Sequence, residues 1–173
     1  MTASSTIEIP AAGAYRIDAA GSRLSFTTRH FFGLGPVRGT FRLREGRVTV
    51  ADPVTSSAVA ATIDAASIDT GNATRDRTVR SGQYLETERH PDITFASTTI
   101  ERDGAGWVLR GTLTVRGTNG PLDVHVDSAV TEGPRLRVRA HSRVDRYAFG
   151  VTAMKGMTGR HLDLELELVA ERA

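Results

Sequence analysis

The chain contains no cysteine among its 173 residues. Disulfides, thiolate nucleophiles and cysteine-ligated metals are therefore excluded. Lysine is nearly absent: Lys155 is the only one, and arginine supplies the rest of the positive charge. With 22 Lys+Arg against 20 Asp+Glu the formal net charge is only +2, so the arginine content reads as compositional habit before it reads as a phosphate-binding surface. No run approaches the roughly 20 apolar residues that span a bilayer, and no integral membrane association is expected. The opening M-T-A-S-S-T-I-E-I-P has neither a basic nor an apolar signal region, and the expected location is cytoplasmic.

Catalytic signatures are missing as well. There is no H-E-x-x-H pair, no Gly-x-Ser-x-Gly elbow, no Walker loop and no dinucleotide fingerprint. Gly33-x-Gly35 precedes a proline and a strand, not a helix. The arginines are dispersed, without the aromatic interleaving of a single-strand nucleic-acid groove, so no nucleic-acid partner is expected.

What is present is alternation. In Gly111–Val126, Leu113 and Val115 share one face, as do Leu122, Val124 and Val126 beyond a Gly117–Pro121 link, which predicts an antiparallel hairpin. Leu24, Phe26, Thr28 and His30 share a face, as do Val37, Gly39, Phe41 and Leu43. Glu45-Gly46 is expected to turn the chain toward Val48 and Val50. Val59, Ala61 and Ile63 are expected inward, followed by Ile93 and Phe95, then Trp107, Leu109 and Gly111. The 135–143 strand sets arginines against Leu136, Val138 and Ala140, and L-D-L-E-L-E-L sets acids against leucines. The two polar faces are expected to complement each other as neighbours. One short polar helix is predicted from Asn72 or Thr74.

This pattern lacks the crossover helices of a parallel sheet. It predicts an all-β chain, an antiparallel barrel or sandwich with a short helical segment near one end. Small inward residues (Thr28, Gly39, Gly111, Ala140, Ser142) beside large ones (Phe26, Phe41, Phe95, Trp107) favour a barrel with a cavity, while a closed packed core stays open as the alternative. Residues 1–13 read as a flexible N-terminal segment, 14–170 as the barrel domain and 171–173 as a tail. Of the five histidines, His125 and His141 fall on exterior faces and His30 falls inward. No metal and no cofactor are expected. Arg75 and Arg77 lie on the helix beside Asp76.

Taken together, Y-R-I-D, S-R-L-S-F-T-T-R-H, V-R-G-T-F, S-I-D-T-G-N-A-T-R-D, H-P-D-I-T-F-A-S, G-T-L-T-V-R-G-T and D-R-Y-A-F-G-V resemble the YceI-like family of polyisoprenoid-binding, lipocalin-like proteins. The resemblance spans Tyr15 to about Val169. It implies an extended lipocalin-like β-barrel whose long apolar cavity holds an isoprenoid or quinone-like lipid, with the polar head near the mouth. Phe26, Phe41, Phe95 and Leu113 would belong to the lining, and Gly111 acquires a cavity-facing role from its parity. His30 and Arg75 would serve the polar end, with Asp76 holding Arg75 or a loop in place. A homodimer is implied. Many members are periplasmic, and the opening of this chain departs from that pattern. Non-enzymatic lipid binding, storage or transport is the expected function. A barrel enzyme for a small hydrophobic substrate and a side-chain-filled, stress-related interaction protein are the alternatives.

Overall fold

The computed structural model describes residues 7–29, 35–104, 106–155 and 158–173. Among them lie the strands β1 (Gly13–Ile17), β2 (Arg23–Arg29), β3 (Pro36–Val50), β4 (Ala58–Asp69), β5 (Asp92–Asp103), β6 (Gly106–Val115), β7 (Thr118–Glu132), β8 (Arg135–Asp145) and β9 (His161–Arg172), with one helix, α1 (Ala73–Arg80). Hydrogen-bonded neighbours run β3-β2-β9-β8-β7-β6-β5-β4, all antiparallel, and β4 returns to β3. The ring is therefore closed. β1 and β2 share one place in it. β1 pairs with β3 at Arg47–Val50 and with β9 at 170–172, whereas β2 pairs with β3 at 36–41 and with β9 at 163–167. The result is an eight-membered barrel in which one stave is made of two short strands. Closure gives every described strand a neighbour on both sides.

Length follows from the strands. β3 and β7 have 15 residues each, which at about 3.4 Å per residue and a tilt near 40° gives a barrel roughly 35–40 Å long. The expected alternation runs through both, changing parity where the register shifts, between Leu43 and Glu45 in β3 and between Val126 and Ser128 in β7. On β8 and β9, Arg139 faces Glu167 at 3.6 Å and Arg143 faces Asp163 at 3.5 Å, so the polar faces do complement each other. These are exposed pairs and contribute at most about 1 kcal/mol each.

Two local expectations are corrected. Glu45-Gly46 is not a turn: β3 continues through it, with register shifts between Thr40 and Arg42 and between Leu43 and Glu45. Such bulges bend a long strand around a barrel. Gly46 is needed there because a Cβ would lie 2.5 Å from the Ile17 side chain. The Gly117–Pro121 link is shorter than its composition suggests. β6 ends at Val115 and β7 begins at Thr118, so Arg116 and Gly117 alone make the turn, with φ of 50° and 72°. Two positive φ values match the twist of the flanking strands. Pro121 pairs with Thr112 inside β7, in a stretch that β8 has not yet joined. There a missing N–H costs no second ladder.

One end of the barrel carries α1, the 81–91 segment, the Arg116–Gly117 turn and the 145–155 and 158–160 segments. Asn72 caps α1, its Oδ1 accepting from the Arg75 N–H at 3.0 Å. At the opposite end Ile7 makes a parallel bridge to Ala129, and Thr131 donates to the Glu8 carboxylate at 2.8 Å. Residues 7–10 thus lie against β7 beyond the end of β6. Buried apolar residues gather into two clusters, one around Tyr84, Phe95, Leu113 and Phe149 and one around Tyr15, Ile17, Leu136 and Ala170. Between them, inward leucines of β9 (Leu162, Leu164, Leu166, Leu168) are only half-buried. The middle of the barrel is not filled by its own side chains.

Candidate functional site

That unfilled interior forms two chambers. The first, about 410 Å³, lies toward the helix end, and Phe26, Phe41, Val37, Ile68 and Val79 are among its walls. The second, about 220 Å³, extends toward the opposite end and is walled by residues such as Phe95, Trp107, Leu109 and Leu168. Leu24, Ile63, Leu113 and Leu164 line both chambers and form a waist between them. The combined space is within the range of small-molecule sites and its walls are overwhelmingly apolar.

Glycines decide how the aromatic rings sit. Phe26 pairs with Gly39 across β2 and β3, and a Cβ on Gly39 would lie 2.5 Å from the Phe26 ring. Phe95 lies over Gly111, where a Cβ would meet the ring at 2.6 Å and the Ala96 carbonyl oxygen at 2.5 Å. Each ring fills the space that a side chain would occupy and lies against the wall instead of standing across the lumen. Phe26, Phe41, Phe95 and Leu113 therefore line the cavity. Gly111 is buried behind Phe95 and contributes to neither chamber wall. Gly111→Ala is expected to destabilise the barrel by about 2 kcal/mol, because a backbone carbonyl cannot move aside as a flexible side chain can. Chemical denaturation checks this, and an unchanged midpoint would contradict the packing described.

The helix end of the first chamber is polar. Arg75 donates from Nε to the Thr70 hydroxyl at 2.8 Å and from Nη2 to the Thr70 carbonyl at 3.0 Å. Thr70 in turn donates its hydroxyl to Asp76 at 2.5 Å, and its N–H donates to the same carboxylate. Asp76 is buried. It holds the end of β4 directly and Arg75 through Thr70. Arg146, only 6% exposed, lies opposite. It donates from Nε to the Gly159 carbonyl (2.8 Å), from Nη1 to Val151 (2.8 Å) and from Nη2 to Thr158 (3.2 Å). Its guanidinium carbon lies 5.8 Å from the Tyr84 ring centroid and 4.9 Å from that of Tyr147. No carboxylate among the described residues lies within ion-pair distance of it. Three of its five N–H donors face those carbonyls. Tyr84 and Thr158 join hydroxyls at 3.0 Å on the same wall.

Just outside, Arg160 clasps Asp145 with two hydrogen bonds of 3.0 and 2.9 Å, tying together the ends of the 145–160 connection. The Arg160 hydrogen bonds hold the Asp145 carboxyl below its ordinary value, and the Tyr147 N–H adds to the effect. A carboxylate whose folded value is depressed contributes stability above the unfolded value and loses it as pH falls through the folded one. Asp145→Asn is therefore expected to unfold more readily than the parent at neutral pH, with the two curves converging as pH falls through the lowered Asp145 value. A difference that persists unchanged in acid would contradict this assignment.

Arg75 thus stands at the polar end of the first chamber, and His30 lies outside the described residues. Arg146, Tyr84, Thr70 and Thr158 were not anticipated. Arg146 stands in D-R-Y-A-F-G-V, where strand parity stops at Val144 and a 3₁₀ turn (Arg146–Phe149) begins, so its inward direction has no periodic signal. His125 and His141 pair across β7 and β8 on the exterior, stacked at 5.0 Å, with His141 Nδ1 2.7 Å from Asp127. No cluster of three or more His, Asp or Glu suited to a metal occurs among the described residues.

The YceI-like domain model matches residues 15–170. A UPF0312 protein of Serratia proteamaculans is 30% identical over 168 residues, covering 92% of this chain and 86% of its own. Protein YceI of an Escherichia coli strain is 28% identical over 158 residues, covering 87% and 82%. Among solved structures, Burkholderia cenocepacia BcnA superposes with a TM-score of 0.79 at 22% identity, over 88% of this chain and 98% of its own. A polyisoprenoid binding domain from Saccharophagus degradans superposes with a TM-score of 0.69 at 17% identity, over 92% and 98%. At these identities the structural matches establish the shared fold.

Proposed function

The chain belongs to the YceI-like family, and from that premise we propose that it binds and carries a polyisoprenoid or similar amphiphilic lipid without changing it covalently. The observation that carries this reading is the pair of apolar chambers joined at a waist, with Arg75, Arg146, Tyr84 and Thr158 on the wall of the first. An extended hydrocarbon chain occupies both chambers, and its head rests at the Arg75, Arg146 and Tyr84 end. Burial of apolar chain contributes about 0.8 kcal/mol per CH₂. Chain length therefore dominates affinity, and the polar end fixes direction. Relatives sharing the fold include a domain described as polyisoprenoid binding, which supports the choice of an isoprenoid over a compact ligand.

Trp107, the only tryptophan, lines the second chamber and reports on the far end of the chain. Delipidated protein is titrated with prenyl alcohols of increasing length while tryptophan emission is followed. Long chains are expected to shift the emission, and chains too short to pass the waist are expected to bind without shifting it. Emission indifferent to every chain length, with no binding detected by calorimetry, would refute the reading.

A further inference from the structure

The helix end of the barrel is charged unlike the rest of the molecule. Arg29, Arg38, Arg116, Arg160 and the segments 69–91 and 145–155 hold 10 of the 22 Lys+Arg and 5 of the 20 Asp+Glu. An excess of five positive charges thus gathers here, in a chain whose formal net charge is +2, and the remaining surface is net acidic. Three of the five carboxylates are already engaged. Asp76 is buried on Thr70. Glu86 lies between Arg89 at 3.4 Å and Arg116 at 3.1 Å. Asp145 is held by Arg160. Arg29, Arg38, Arg77 and Lys155 are exposed, and no carboxylate among the described residues lies within 4 Å of them.

The same end carries an exposed apolar residue. Met154 is 49% exposed, one of two large hydrophobic residues so exposed among those described. It is followed directly by Lys155, whose Nζ lies 5.2 Å from the Tyr147 ring. The segment bearing them begins at Val151, which is a wall of the first chamber. A cationic rim with an apolar tip, set at the helix end of a lipid-sized cavity, matches the chemistry of an anionic bilayer surface: phosphate oxygens for the guanidinium and ammonium groups, and the headgroup boundary for the methionine.

We propose that this face docks reversibly on membranes rich in anionic phospholipid, presenting the helix end of the cavity to the bilayer. The proposal rests on the lipid-carrying reading, but vesicle binding is measured without reference to cargo, so each can fail alone. Purified full-length protein is co-sedimented with mixed phosphatidylcholine–phosphatidylglycerol vesicles and with pure phosphatidylcholine vesicles. Binding is expected to be at least about tenfold stronger to the mixed vesicles. It is expected to be lost when salt rises from about 0.1 M to about 1 M, as the Debye length falls from about 10 Å to about 3 Å. The double variant Arg77→Glu/Lys155→Glu is expected to lose about tenfold or more in vesicle affinity and to retain its cargo, since neither residue lines a chamber. As control, Arg16→Glu/Arg47→Glu reverses two exposed charges that pair with each other on β1 and β3, toward the opposite end, and is expected to bind nearly as the parent does. Equal loss in both variants would mean that net charge alone, not this face, governs binding. That result, equal affinity for both vesicle types, or no binding to either would overturn the proposal.

Discussion

Replacing Leu164 by tryptophan is expected to weaken the binding of long prenyl chains by about two orders of magnitude while leaving short chains bound. Leu164 stands at the waist with Leu24, Ile63 and Leu113. It pairs with Phe26 on β2 and with Ser142 on β8, and the small Ser142 leaves room beside it. Because Leu164 is only half-buried and faces open lumen, the larger ring enters empty space and does not overpack a closed core. The plug denies the chain its second chamber. Loss of about four buried CH₂ groups amounts to about 3 kcal/mol, or roughly a hundredfold in affinity. Chains confined to the first chamber lose nothing. Calorimetric titration with a short and a long prenyl alcohol, alongside a thermal melt to verify folding, separates these outcomes. A folded variant with undiminished long-chain affinity would show that the ligand does not cross the waist.

Arg146→Met is expected to be the most disruptive single change at the polar end. The methionine fills a similar volume but donates nothing, and the carbonyls of Val151, Thr158 and Gly159 lose their partner together. A buried acceptor left without a donor costs about 1–3 kcal/mol. The three are coupled through one segment and do not add fully, so a loss of about 3 kcal/mol is expected. Arg146→Lys is expected to recover little of it, because an ammonium cannot present the planar fork that reaches three carbonyls in different directions. Denaturant midpoints of both variants measure this. A lysine variant as stable as the parent would place the role of Arg146 in its charge and not in its geometry.

Most of the barrel wall was readable in the sequence because a half-buried strand writes its two faces at a period of two. Leu24, Phe26, Phe41, Phe95 and Leu113 fall inward on that basis, and the arginines of β8 meet the acids of β9. Several features carry no such mark. Glu45-Gly46 has the composition of a turn, but a bulged strand bending around a barrel uses the same residues. Gly111 shares the parity of its lumen-facing neighbours, yet the Phe95 ring covers it, and the fit of a ring over a glycine on the adjoining strand depends on register that a single sequence does not display. Closure of β4 on β3 and the sharing of one stave by β1 and β2 join segments distant along the chain. Arg146 was hidden for another reason. It lies in a 3₁₀ turn just past a strand, where alternation has ended, and its partners are backbone carbonyls that any residue can supply. The polar end of the cavity is assembled from α1, a short turn and a connection, so strand periodicity points to the apolar chambers and is silent about the groups that orient what they hold.

The central claim is that the unfilled interior holds one amphiphile. Native mass spectrometry of the purified full-length protein, followed by organic extraction and mass analysis of the extract, tests it most directly. A protein mass increased by a single lipid per chain is expected, with a prenyl-type amphiphile recovered in the organic phase and rebinding of added prenyl lipid to the stripped protein. A bare protein mass, an extract without amphiphile and no uptake of added prenyl lipids would contradict it.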